Sequence, residues 1–249
     1  MGSFAEDTIN GSELIHPPIL TQVSGRSLGA GGQPGVKRID LRPQQRLVRA
    51  PAHDRQVLMV GEGVLSLDAL PGKGQRQILD FLMAGDVIPL SAIQFLPTIS
   101  VRALTKATLV CTGDQDEDEC SLRDMRNSRD QLQSQLQRAH LQQLLVGHMD
   151  AEARVASFVF AFALRVGTDA QTRSSLELPM SRDDMADYLA MNRDTLSRVM
   201  MRFETQSLIA RLNRHAIRVL NFEGLRQLSP VASLIAAILG RHGKSGATA

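Results

Sequence analysis

The sequence predicts an α+β fold of two modest units joined by one long helix. Three observations predict it. Between about residues 36 and 111 apolar residues fall in short segments with a period of two, separated by Gly- and Pro-containing turns. Over 122–150 and 151–167 the period lengthens to that of helices. Around 181–204 two short helical patterns meet at a corner, and alternation returns over 208–221. With 249 residues, 43% of them apolar, the chain can build two real cores.

Residues 1–36 are rich in Gly, Pro, Ser and Gln without sustained periodicity, and read as a flexible N-terminal arm. Over 37–121 the segments 57–60 (VLMV), 64–67 (VLSL), 78–83 (ILDFLM) and 108–111 (TLVC) read as strands of a barrel or roll. The acidic run 113–120 lacks the alternating ligands and central Gly of a calcium loop and reads as a solvated loop. Residues 122–150 form a long helix, with Leu132, Leu136, Ala139, Leu141, Leu144 and Leu145 assigned to one apolar side. That side can meet the roll, another subunit, or both. Val155, Phe158, Val159, Phe162 and Val166 mark a core helix, followed by a loop and a short strand at 176–180. The stretch 208–221 alternates around Asn213-Arg214 and reads as a β-hairpin, with Arg211, Arg214 and Arg218 placed to meet phosphates. The last apolar helix, 231–240, is too short to span a membrane, and the sequence leaves its partner open.

The stretch 180–204 carries the chemistry. Ser181 is an N-cap, with Asp183 and Asp184 in a first turn where the helix dipole favours negative charge. Met185, Ala186 and Leu189 give an apolar stripe, Ala190-Met191 the corner, and Asn192 a second N-cap. Leu196, Val199, Met200 and Phe203 then point inward together, leaving Arg193, Asp194, Ser197, Arg198, Met201 and Arg202 outward. A short helix backed by apolar side chains and fronted by fork-shaped hydrogen-bonders suits the DNA major groove. The bland alternative is an amphipathic surface helix with solvated arginines. Net charge is only +2, but six Arg against two acids lie between Arg193 and Arg218.

This run resembles the helix-turn-helix of the CRP/FNR family of bacterial transcription regulators. Asp194, Ser197 and Arg198 match its reading positions, and Ser-Arg is the form found in FNR and FixK. Residues 72–88 (GKGQRQILDFLMAGDVI) also resemble the sensor roll of that family. The resemblance implies an N-terminal double-stranded β-roll of the cyclic-nucleotide-binding kind over 37–121. It also implies a dimerisation helix over 122–150, a winged helix-turn-helix over 151–229, and a C-terminal helix and tail over 230–249. The Ala-Glu-x-Arg opening at 151–154 fits as well. Asp194 replaces the usual Glu, and Ala190 fills a position that is often Gly, at ~1 kcal/mol if the backbone needs φ > 0 there.

By the same resemblance, Arg198 reads a guanine edge, Ser197 a thymine, Asp194 a cytosine or adenine amine, and Arg193 a neighbouring base or phosphate. Ser181, Arg182, Thr195 and Arg214 hold phosphates. Leu132, Leu136, Ala139 and Leu144 pair with their twins across a two-fold axis. The implied partners are double-stranded DNA at a TTGA-N6-TCAA-like palindrome, a second copy of the chain, and RNA polymerase, with activation as the expected consequence.

Several classes fall away. The two cysteines, Cys111 and Cys120, are too few for the four-thiolate iron–sulfur site of oxygen-sensing relatives. Cyclic-nucleotide gating is not expected, because Pro97 and Thr98 stand where an Arg-Ser/Thr pair holds phosphate, and Leu90 falls near the position of the ribose-binding Glu. Arg102 lies beyond that pocket and is expected as an exposed strand residue. His140 and His148, eight apart, make no metal pair. No nucleophile–base pair or phosphate loop stands out, so neither an enzyme nor a cofactor or metal is expected. With no signal peptide and no membrane span, the expected location is cytoplasmic. The reading is thus a FixK-like regulator; its alternative keeps the fold but gates it by an unidentified small molecule, haem or cysteine oxidation in the roll.

Overall fold

A computed structural model describes residues 37–47, 57–70, 76–89, 98–112, 122–166 and 175–239. The proposed arm at 1–36, the acidic run, Leu90, Pro97 and Cys120 lie outside them. Eight strands come first: β1 (Lys37–Leu41), β2 (Arg46–Leu47), β3 (Val57–Glu62), β4 (Leu65–Ala69), β5 (Gln77–Leu82), β6 (Val87–Pro89), β7 (Ile99–Ala103) and β8 (Ala107–Thr112). They form two four-stranded antiparallel sheets, ordered β1-β8-β3-β6 and β2-β7-β4-β5. Each strand contributes to one apolar core, from Ile39 and Leu41 through Leu58, Leu65 and Leu82 to Val101 and Leu109. Alternation along the strands puts that set on the inner face. Gly63 closes the β3–β4 turn at φ +86°, and a Cβ there would lie 2.3 Å from the Lys106 carbonyl oxygen, so only glycine fits.

The helices follow: α1 (Leu122–His148), α2 (Ala151–Val166), α3 (Arg182–Tyr188), α4 (Arg193–Thr205), α5 (Phe222–Gln227) and α6 (Ala232–Leu239). A third sheet, three-stranded and ordered β10-β11-β9, is built from β9 (Ser175–Glu177), β10 (Ile209–Asn213) and β11 (Ala216–Val219). The hairpin turn sits at Arg214-His215, one residue later than the sequence centre, because Asn213 pairs with Ala216.

The long helix does not carry one apolar side but two. Leu141 and Leu145 are buried against Phe160 of α2 and Ile235 of α6, whereas Leu132, Leu136 and Leu144 remain 38, 57 and 40% exposed. At helical spacing a Leu three residues away lies on a neighbouring ridge, so the buried and open rows are adjacent stripes. The final helix thus packs on its own chain, sealing the seam between α1 and α2. Val166, placed by periodicity in the core, is 51% exposed at the end of α2.

The turn at Gly85-Asp86 ties the roll to two helices. Asp86 accepts from the Met83 amide at 2.8 Å, from Arg138 of α1 at 2.9 Å and from Arg165 of α2 at 2.6 Å. Arg138 also holds Asp80. Gln135 donates to the Val87 carbonyl, adding a backbone tie beside the turn.

The largest correction concerns Arg102. It is buried, at 5% exposure, not exposed. Val101 and Ala103 point into the roll core, so alternation sends Ser100 and Arg102 to the other sheet face. There Arg102 meets α3. Arg102 Nη2 donates to Asp184 at 2.7 Å, Nε to fully buried Asp68 at 3.1 Å and Nη1 to Gln44 at 3.0 Å. Arg76 also reaches Asp184 at 2.7 Å and Asp187 at 2.6 Å. Beside this polar contact the rings of Phe81 of β5, Phe158 of α2 and Tyr188 of α3 meet at inclined angles of 41–61°, with centroids 5.1–6.1 Å apart. One core runs from Ile78 and Phe81 of the roll through α2 to α4.

Candidate nucleic-acid interface

Two capped helices make the site. Ser181 is extended at φ −71°, ψ 168°, and its hydroxyl oxygen accepts from the Asp184 amide at 3.1 Å. The Asp184 carboxylate accepts in return from the Ser181 amide at 2.9 Å and hydroxyl at 2.8 Å, completing a capping box. That leaves the Ser181 hydroxyl hydrogen committed to Asp184. Burial pushes the Asp184 carboxyl up, but the Ser181 amide and the Arg102 and Arg76 guanidiniums outweigh it, and the net shift is downward.

The corner needs unusual backbone. Ala190 sits at φ +49°, the left-handed region where an L side chain is strained by about 1–2 kcal/mol. Arg154 of α2 secures this turn, donating to the carbonyls of Met149 at 2.8 Å, Leu189 at 3.1 Å and Ala190 at 3.3 Å. These last two are carbonyls that the end of α3 leaves open. The sequence marked the Ala-Glu-x-Arg pattern without giving Arg154 a task. Ala190→Gly is expected to raise stability by up to ~1 kcal/mol, since relief of strain exceeds the added unfolded-state entropy. A denaturant midpoint that fell instead would show that the strain is already relaxed.

The second helix begins at Asn192, whose side chain accepts from the Thr195 amide at 2.7 Å. Leu196, Val199, Met200 and Phe203 are all buried in the shared core, as the spacing requires. Arg193, Asp194 and Arg198 are exposed, and Ser197 and Thr195 half-buried. The six arginines separate into two groups. Arg202 pairs with Glu152 at 2.7 Å, Arg211 with Glu204 at 2.7 Å and Arg193 with Asp183 at 3.5 Å. Arg198, Arg214 and Arg218 have no ion-pair partner among the described residues. Arg182, the first residue of α3, is half-buried; burial and the nearby Arg211 push its guanidinium down from the ordinary value. An anion arriving there would offset both by favouring the charged guanidinium.

The comparisons agree with this geometry. Residues 153–228 match the Crp-like helix-turn-helix domain. The nitrogen fixation regulation protein FixK of Rhizobium meliloti is 31% identical over 172 residues, covering 68% of this chain and 76% of that one. The chain belongs to the CRP/FNR family. Within it the FixK branch fits: FixK of Azorhizobium caulinodans is 30% identical over 181 residues, 69% of this chain and 71% of that one. Among solved structures, FixK2 from Bradyrhizobium japonicum aligns with a TM-score of 0.64 at 24% identity, covering 78% of this chain and 97% of that one. This CRP/FNR protein is a DNA-binding transcription regulator rather than an enzyme. Among its described residues no helix is long and apolar enough to cross a membrane, and no three His, Cys, Asp or Glu are grouped to hold a metal.

Proposed function

We propose that this regulator binds, as a homodimer, a palindrome resembling TTGA-N6-TCAA and activates transcription there by contacting RNA polymerase. The observation that carries the reading is the outer ridge of α4, where Arg198 stands exposed and without an ion-pair partner among the described residues. Arg198 donates two hydrogen bonds to a guanine edge, and Asp194 accepts from a base amine on the other strand. Ser197 touches a thymine, and Arg193 leaves Asp183 for a neighbouring base or phosphate. Arg182, Arg214 and the Thr195 hydroxyl hold the backbone, with Ser181 beside them at the N-terminus of α3. Leu132, Leu136, Ala139 and Leu144 form the seam with the second copy, which fixes the separation of the two reading helices.

The test is fluorescence anisotropy of the purified protein, without effector, on a TTGA-N6-TCAA duplex and a scrambled one near physiological salt. Selective binding is expected. Arg198→Ala is expected to cost about 1–3 kcal/mol on the palindrome and little on the scrambled duplex. An equal loss on both would assign Arg198 to phosphate, and absence of any preference in the wild type would overturn the reading.

A further inference from the structure

We infer that Met201 is a base-reading residue, its thioether end meeting a thymine methyl beside the guanine read by Arg198. The inference rests on the placement of α4 in the major groove proposed above. An α-helix advances about 100° per residue, so the buried set Leu196, Val199, Met200 and Phe203 defines a back, and the opposite pole follows. Asp194, Arg198 and Met201 fall within about 30° of that pole. Arg193 and Arg202 lie to either side of it, each turned to an acid on a neighbouring helix. Met201 therefore shares the ridge with Asp194 and Arg198.

Its environment is also distinctive. At 63% exposure Met201 is the most exposed large apolar side chain among the described residues, yet it stands in a row otherwise made of polar groups. Thr205, next on the ridge, donates its hydroxyl to the Met201 carbonyl at 3.0 Å, so it is committed to the helix itself. Met201 is then the last side chain free to read. A thioether has no hydrogen to donate to a phosphate. The apolar feature that B-DNA presents in its major groove is the thymine methyl, and a flexible, polarisable side chain fits it without demanding geometry. Three residues beyond Arg198 correspond to a rise of about 4.5 Å, roughly one base-pair step. The thymine is thus adjacent to the guanine of Arg198 or one pair further.

The experiment selects sites from a random duplex pool with the wild type, Met201→Ala and Arg198→Ala, each checked for an unchanged thermal transition. The wild type is expected to enrich thymine at one position within two pairs of the guanine that depends on Arg198. Met201→Ala should keep the guanine and lose the thymine. Replacing that thymine by deoxyuridine removes only the methyl; wild-type affinity should drop about three- to five-fold, and Met201→Ala should not respond. Identical preferences for wild type and Met201→Ala, or an equal response of both to deoxyuridine, would overturn the inference while the Arg198 result leaves the reading helix in place. If Arg198→Ala also keeps every wild-type preference, the helix placement falls, and Met201 with it.

Discussion

Arg102→Met is expected to lower the unfolding free energy by about 3–5 kcal/mol, the usual penalty for stripping one partner from a buried ion pair. The loss is large because one guanidinium serves two carboxylates, at 3.1 Å to Asp68 and 2.7 Å to Asp184. Asp68 would keep only Arg46 and Arg76, each 3.9 Å away. Chemical denaturation followed by circular dichroism measures the loss, and hydrogen exchange should show the α3 amides opening first. A change under about 1 kcal/mol would mean that the carboxylates find water or Arg76 at no cost. The same cluster predicts an acid limb. The Asp184 carboxyl lies below its free value of 3.8, so its contribution is complete above that pH. It disappears as pH falls through the lower folded-state value, and Asp184→Asn should lack this part of the stability curve.

Leu136→Asp is expected to convert the regulator to a monomer. Leu136 is the most open leucine of the row on α1, and a carboxylate there faces its own twin across the proposed seam. Losing the second half-site removes an intramolecular binding event, so affinity for the full palindrome should fall about 10²–10⁴-fold. Leu141 and Leu145, which hold α1 to the body, are untouched, and helix content should not change. Sedimentation and anisotropy together decide it. A variant that stays dimeric would exclude this face as the seam.

Much of this architecture was legible in the sequence, for identifiable reasons. The reading helix declared itself because its four inward residues obey one period and its cap is an Asn that can accept from a backbone amide. The strands were legible because both sheets bury one face in a single core. The positions that escaped share a different cause. Arg102 sits in an alternating strand and looks solvated until another segment, eighty residues on, arrives to cover it. The two rows of α1 are separated only by which neighbour each meets. Arg154 acts on carbonyl oxygens, which carry no sequence signal. Periodicity tells which face is buried locally; it cannot tell what a polar face will be buried against.

The double use of Asp184 has a consequence for anyone recombining these proteins. Asp184, in the first turn of the first helix of the DNA-reading motif, is held by two arginines of the roll, Arg102 in β7 and Arg76 just before β5. A graft cut at residue 150 would carry Arg154 along with the motif and leave Arg76 and Arg102 behind. Chimeras between members should therefore behave only when positions 68, 76, 102, 184 and 187 travel as a set, because the reading head and the roll are parts of one joint rather than interchangeable modules.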